Sequence, residues 1–291
     1  MITRDDAKRK RSMNLYGLMM KRRSVRNFED KKIPEDVVQQ LLDVVTNAPS
    51  GGNIQPISVI VVQDADARKE LARMVGDQPW VKNAPLSLIF CIDFYRIKKW
   101  ASMFDTGFEG EKAFLPCLIA YADLMCSAQN VVILAQGHGL GSVYIGTILD
   151  VIDRARKYFT IPKYVLPMMV LSIGYPKSAP KNIPKLKRDV IAHRERYTIL
   201  SDDEIKKAFE EKYGKFEENV ERYFQRAFVE VVEADKQQNE GWMDSFKEEM
   251  KKLNIKNNAQ FLFKLRYPSD TMIRMNESLI RSFKNAGFDF F

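Results

Sequence analysis

Two basic stretches and one amide-bearing loop hold the residues most able to do chemistry. In KRRSVRNFED (21–30), Arg22, Arg23 and Arg26 surround Ser24, a set of forked cationic donors and a hydroxyl suited to a phosphate. In APSGGNIQP (48–56), Pro49 and Pro56 enclose Ser50, Gly51, Gly52, Asn53 and Gln55. Glycines let a backbone approach a flat ligand, and a side-chain amide offers it both a donor and an acceptor. GHGLGSVYIG (137–146) supplies further glycines around Tyr144, Ile145 and Gly146. GYPKSAPKNIPKLKRD (174–189) places a second basic cluster, Lys185, Lys187 and Arg188, beyond a turn. Singly, each stretch has a plainer reading. Basic side chains commonly solvate a surface, and a turn before a strand explains Gly51 and Gly52, although it gives no reason for Asn53 and Gln55. His138 closes an apolar helix just ahead of Gly139, where a helix-terminal structural role is expected rather than acid catalysis.

Composition restricts the chemistry these residues can serve. With 291 residues, 45% of them hydrophobic, the chain can bury a sizeable core. No run of eighteen apolar residues occurs, and the charged opening MITRDDAKRKRSMNLYG is not followed by an apolar stretch, so a cytoplasmic protein without membrane insertion is expected. Cys91, Cys117 and Cys126 lack close ligand spacing and only two histidines are present, so neither a metal site nor disulfides are expected. The net charge of +8 is uneven: residues 201–291 carry 16 Lys and Arg against 18 Asp and Glu, leaving 30 against 20 for residues 1–200. The excess gathers at Lys8–Arg26 and Arg154–Arg196. A fold that unites the two regions makes an anion site. A nucleic-acid or anionic-surface binding module, with KRKRSM near residue 10 as its arm, is the rival, but no nucleic-acid recognition motif accompanies it.

The elements that must position these residues alternate between helix and strand. PEDVVQQLLDVVTNA (34–48) has proline in its first turn and apolar residues at helical spacing. ISVIVVQ (57–63), LSLIFCIDF (86–94), GSVYIG and PMMVLSIGYP (167–176) read as buried strands. DADARKELARMVG, the stretch 116–136 and LDVIDRARKYF read as helices. This pattern predicts an α+β sandwich, a mixed sheet flanked by helices, over residues 1–200. Residues 201–291 start with a capping box, Ser201 and Glu204, and show no strand, so an all-helical extension is predicted. Its aromatics, among them Phe209, Phe216, Phe224, Phe228, Phe246, Phe261, Phe263 and Phe283, recur near helical spacing, which suits packing on the core domain or on a partner subunit.

In their order and spacing, Arg22-Arg23-Ser24-Val25-Arg26, the Pro-Ser-x-x-Asn-x-Gln-Pro of 49–56, Gly-Leu-Gly at 139–141 with Tyr-Ile-Gly after it, and Gly-Tyr-Pro at 174–176 resemble the FMN-dependent nitroreductase family over roughly residues 14–197. The resemblance implies a homodimer with FMN at the subunit interface and NAD(P)H as co-substrate. Hydride would pass to FMN N5 and then to a nitroaromatic or quinone in a ping-pong cycle, with no protein acid or base required. Arg22, Arg23, Ser24 and Arg26 would hold the phosphate and ribityl chain. Lys185 would reach the ring and Lys187 the phosphate, with Arg188 a substitute donor because the family's Lys-x-Arg reads Lys185-Leu186-Lys187 here. Pro49, Ser50, Gly51, Asn53 and Gln55 would come from the partner, Asn53 meeting the pyrimidine edge. Tyr144, Ile145 and Gly146 would lie against the flavin, the Gly146 N–H toward N5. In the variable region 94–114, Trp100, Phe104 and Phe108 could stack on a planar acceptor or pack an interface. The same fold also serves reductive dehalogenation, dehydrogenation and flavin fragmentation.

Overall fold

The longest apolar runs, LSLIFCID and VLPMMVLSIG, become strands without an exposed residue because helices cover both of their faces. The computed structural model describes residues 15–180, 182–216 and 242–290; the basic arm near residue 10, Phe224 and Phe228 lie outside them. Strands β1 (Ile57–Val62), β2 (Leu86–Asp93), β3 (Gly141–Ile145) and β4 (Val165–Gly174) form one sheet in the order β1-β2-β4-β3. Each strand pairing is antiparallel; Ser24 with Ser142 makes an isolated parallel bridge, the only parallel component among the described residues. The hydroxyls of the paired Ser87 and Ser172, both buried, hydrogen-bond each other at 2.9 Å, so neither is left unsatisfied in the core.

The helices are α1 (Glu35–Thr46), α2 (Ala65–Met74), α3 (Pro79–Asn83), α4 (Phe94–Met103), α5 (Phe114–Gly137) and α6 (Ile152–Tyr158). Pro34 precedes α1 with Glu35 and Asp36 in its first turn, and Val38, Leu41 and Val45 form its buried stripe. Asp64 caps α2, accepting from the Ala67 N–H at 2.8 Å. One face of the sheet, through Leu88, Phe90, Ile92, Leu171 and Ile173, packs against α1 and α5. The other, through Ile89, Cys91 and Val170, packs against α2, α3 and α6. Helix α5 is long and apolar enough to cross a membrane, yet Cys117, Ala120, Leu124, Ala128, Val131 and Ala135 bury one side of it in this core.

The chain divides into two compact units, one up to Pro180 and again from Asn276, the other Lys181–Met275. The division therefore falls at 180 instead of the 200/201 boundary suggested by composition. The final residues also return to the first unit, because Phe283, Ala286 and Phe288 are buried in its core. Phe288 lies 5.4 Å from Phe94 between ring centroids, and the Asp289 N–H donates to Glu111 O. The second unit holds α7 (Arg188–Ile191), α8 (Asp202–Tyr213) and α9 (Trp242–Lys252), while α10 (Ser269–Asn285) crosses the division. The capping box opens α8: Ser201 Oγ accepts from the Glu204 N–H and Glu204 Oε2 from the Ser201 N–H. Within this unit Ile255 and Phe261 gather Phe216, Phe246 and Met250 into a small core.

Candidate functional site

Residues 24–28 run as an extended strap past β3 and β4. The Val25 N–H donates to Ser142 O at 3.0 Å, Glu29 N–H to Tyr175 O at 2.9 Å and Lys177 N–H to Asn27 O at 3.0 Å. Val25 and Phe28 are buried, and two paired glycines admit them. A Cβ on Gly141 would stand 2.4 Å from Val25 Cγ2; on Gly174 it would stand 2.6 Å from Pro85 Cδ and 2.9 Å from Phe28 Cδ1. Arg22, Ser24 and Arg26 flank the buried Val25 along this segment. All three are half-buried. The Arg22 guanidinium makes no hydrogen bond or ion pair among the described residues. Arg23 turns back instead: its Nη1 donates to Met20 O at 2.8 Å and Arg22 O at 2.7 Å, capping the helical stretch 15–21. Arg26 lies over the Trp80 ring, 5.5 Å from its centroid.

Strand β3 carries the next group. Burial pushes the Tyr144 phenol up to about 12, against the opposing charge of nearby Arg22, and its hydroxyl meets Gln129 Oε1 at 3.3 Å. Ile145 is buried, and Gly146 opens the turn Gly146–Val151 on the surface. A Cβ on Gly146 would meet nothing within 4 Å and its φ lies outside the left-handed region, so neither packing nor backbone conformation within the chain calls for glycine there. An external group could approach that backbone closely.

The loop between α1 and β1 is a strained one. Gly52, Asn53 and Gln55 have φ of 58°, 55° and 51°, a conformation easy for the glycine and costly for the other two residues. Several contacts hold it: Gln55 Nε2 donates to Thr46 O at 2.7 Å, the Gln55 N–H to Ser50 Oγ at 3.2 Å, and the Gly51 N–H to both Asp123 oxygens at 3.1 Å. Arg96 Nη2 donates to Gln55 O and Ile57 O, each at 2.7 Å. Asn53 is exposed and its amide has no partner among the described residues, while Pro49 lies just ahead of the turn. Asp123 and Arg96 escape a motif-based reading, although a lone carboxylate inside the apolar run of α5 was a visible signal.

The strap and the loop are not brought together within the chain. The loop leads into β1 at Ile57, aligned through Ile92 with Leu166 of β4; the strap bridges Ser142, aligned with Ile173. They stand at diagonally opposite corners of the sheet, four strand spacings or about 19 Å across, counting the strap beside β3, and roughly 24 Å along. Trp100 and Phe104, on and just after α4, are exposed at the loop's corner, and Arg96 lies over Trp100 at 5.6 Å. Phe108 packs inward instead, edge-on to Phe94 at 5.3 Å, and serves the core in this chain. Lys185, Lys187 and Arg188 belong to the second unit and are exposed there; Lys187 pairs with Glu211 at 2.8 Å, and Arg188 with Asp189 at 3.5 Å. His138 terminates α5, its N–H donating to Leu134 O and Ala135 O. No group of three or more metal-ligating side chains occurs among the described residues.

Several known proteins are similar to this chain in sequence or in fold. The nitroreductase family's sequence profile matches residues 19–109. An FMN reductase [NAD(P)H] of Bacillus subtilis is 32% identical over 184 residues, which make up 63% of this chain and 73% of that one. The solved structure of a Bacteroides fragilis protein, provisionally named an oxidoreductase, superposes with a TM-score of 0.75 at 25% identity, covering 94% of this chain and 99% of the other. The NADPH:FMN oxidoreductase of Vibrio harveyi, solved with NAD+, matches with a TM-score of 0.64 at 26% identity over 73% of this chain and 91% of that one. With its sheet order, its strap and its glycine-bearing loop, the chain belongs to the nitroreductase family.

Proposed function

We propose that this protein is an NAD(P)H-dependent FMN oxidoreductase, acting as a cytoplasmic homodimer. The observation that carries this reading is the half-buried Arg22 guanidinium, which makes no hydrogen bond or ion pair among the described residues and whose charge lies near Tyr144, two residues ahead of the open backbone of Gly146. A half-buried cation and a glycine backbone open to an external group suit a phosphorylated, flat ligand. The B. subtilis and V. harveyi relatives are named for reactions of FMN with reduced nicotinamides. Bound FMN supplies a two-electron carrier that accepts hydride at N5 from NAD(P)H and, in a ping-pong cycle, hands electrons to a nitroaromatic or quinone.

The chain's own residues bind and orient. Arg22 and Arg26 meet the phosphate and Ser24 the ribityl chain, with Arg23 holding the strap's entry in place. Tyr144, Ile145 and Gly146 floor the ring, and the Gly146 N–H favours charge that develops on it during reduction. Ser50, Gly51, Asn53 and Gln55 offer the opposite edge. In the second unit, Lys185, Lys187 and Arg188 are exposed cationic candidates for the ligand's phosphate. Trp100 and Phe104 wall the acceptor's side.

The same geometry supports the homodimer as part of this reading. Because loop and strap stand at opposite corners of one sheet, a two-fold partner is what could set the loop of one chain against the strap of the other. Leu115, Leu118 and Ile119 form an exposed apolar row on α5 beside that loop, suited to such an interface. The test is reconstitution with FMN and with riboflavin, followed by gel filtration. Arg22→Ala is expected to weaken FMN by roughly ten- to hundred-fold and to leave riboflavin unchanged. NAD(P)H oxidation with nitroaromatic and quinone acceptors should give parallel double-reciprocal lines. A protein that retains neither flavin sinks the proposal.

A further inference from the structure

We infer that Asp123 and Arg96 are positioning residues for the Ser50–Gln55 loop, clamping it from both ends so that Asn53 is presented in one conformation; this rests on the flavin reading above. A left-handed conformation at Asn53 and Gln55 persists only where the surroundings over-determine it. At the loop's start, the buried Asp123 aims both oxygens at the Gly51 N–H, 3.1 Å from each. No cation pairs with Asp123 among the described residues, so a carboxylate sits within an apolar helix with a backbone amide as its partner. Such a group is retained against its desolvation cost only if it does something an apolar residue cannot. Gly51 completes the contact, because a Cβ there would stand 2.8 Å from Ile119 Cγ2 and push the turn off α5.

At the loop's end, Arg96 grips the carbonyls on either side of Pro56, those of Gln55 and Ile57. Asp93 orients the clamp: it accepts from the Arg96 N–H at 2.9 Å and from Ser58 Oγ at 2.5 Å. Between the two anchors the Gln55 amide is tied to Thr46 O, which leaves the Asn53 amide outward with no internal partner among the described residues. The clamp residues lie 41 and 72 positions away from the loop residues they hold, so α4 and α5 add restraints that the loop's own sequence does not supply. A loop held before its ligand arrives loses less freedom on binding.

The variants are Asp123→Leu, Asp123→Asn and Arg96→Lys, compared with Arg22→Ala. In flavin-free protein, amide exchange over residues 50–55 is expected to rise at least roughly tenfold in Asp123→Leu and Arg96→Lys, and by less in Asp123→Asn, while β1 and β2 keep their protection. FMN and riboflavin should both bind about tenfold more weakly and by the same factor, because the ring edge and not the phosphate loses its contact. Arg22→Ala should weaken FMN alone, which separates this effect from a general loss of the site. If Asp123→Leu does not fold, Asp123→Asn and Arg96→Lys carry both measurements. Unchanged loop exchange in all folded variants overturns the inference, and so does faster exchange with both flavin affinities intact. A wild-type protein that binds neither flavin overturns the flavin reading itself, and the positioning role with it, before any substitution is made.

Discussion

Replacing Gly141 by alanine tests whether the strap depends on the glycine pair beneath it. The added Cβ would stand 2.4 Å from Val25 Cγ2 and 2.7 Å from Val25 Cβ, against ordinary carbon contacts of about 3.5–4.0 Å. The strap must therefore retreat by about 1 Å, which takes the 3.0 Å hydrogen bond between Val25 N–H and Ser142 O beyond useful length. Overpacking of this kind costs about 1–3 kcal/mol and the lost bond about 1 kcal/mol more. For a unit of this size, the expected fall in Tm is about 4–16 °C. Thermal melts and urea titrations measure the cost, and FMN titration measures its consequence, since Arg22, Ser24 and Arg26 ride on the displaced segment. Val25→Ala in the same background removes both Cγ atoms but not the Cβ, so the double variant should recover part of the loss and show favourable coupling. Gly137→Ala is the control, because a Cβ there meets nothing within 4 Å and helix propensity favours the alanine. A Gly141→Ala protein that melts with wild type and binds FMN equally well refutes the reasoning.

Further outcomes follow from the same contacts. Gly146→Ala should fold with wild-type stability, because its Cβ enters open space, yet bind FMN at least roughly tenfold more weakly; equal binding in titration removes Gly146 from the site. Phe288→Ala, at a position 1% exposed, should destabilise the first unit by about 3–5 kcal/mol in urea unfolding, and truncation after Leu200 should yield insoluble chain, since it strips Phe283, Ala286 and Phe288 from the core. The Tyr144 phenol, raised chiefly by burial, should ionise near pH 12 in difference absorbance. Because its folded pKa lies above the ordinary value of 10.0, its contribution to stability is complete below pH 10 and is lost as the pH rises from 10 to 12. Tyr144→Phe should abolish that part of the slope, and a tyrosine signal that is complete by pH 10.5 would contradict the buried geometry.

Much of the molecule was legible from neighbouring residues alone. Short, mainly apolar runs bounded by turn residues, such as LSLIFCID after Pro85, read as strands buried on both faces, and a proline followed by acidic residues and an apolar stripe reads as the start of a helix such as α1. The Ser201–Glu204 capping box set the start of α8 from residues three apart. Motif order likewise sufficed for the family, because strap, loop and glycine turns each occupy a short continuous segment. What no local pattern carried was the reason for the glycines at 141 and 174, which lies in Val25, Phe28 and Pro85, far away in the chain. Nor could it show Asp123 reaching the Gly51 amide, the return of Phe288 to the core, or the inward turn of Phe108. Local signals report the conformational preferences and burial of adjacent residues. Which distant side chains share a cavity is decided by sheet order and register, and these put the strap and the loop at opposite corners of one sheet although each, read alone, looked like part of a single site.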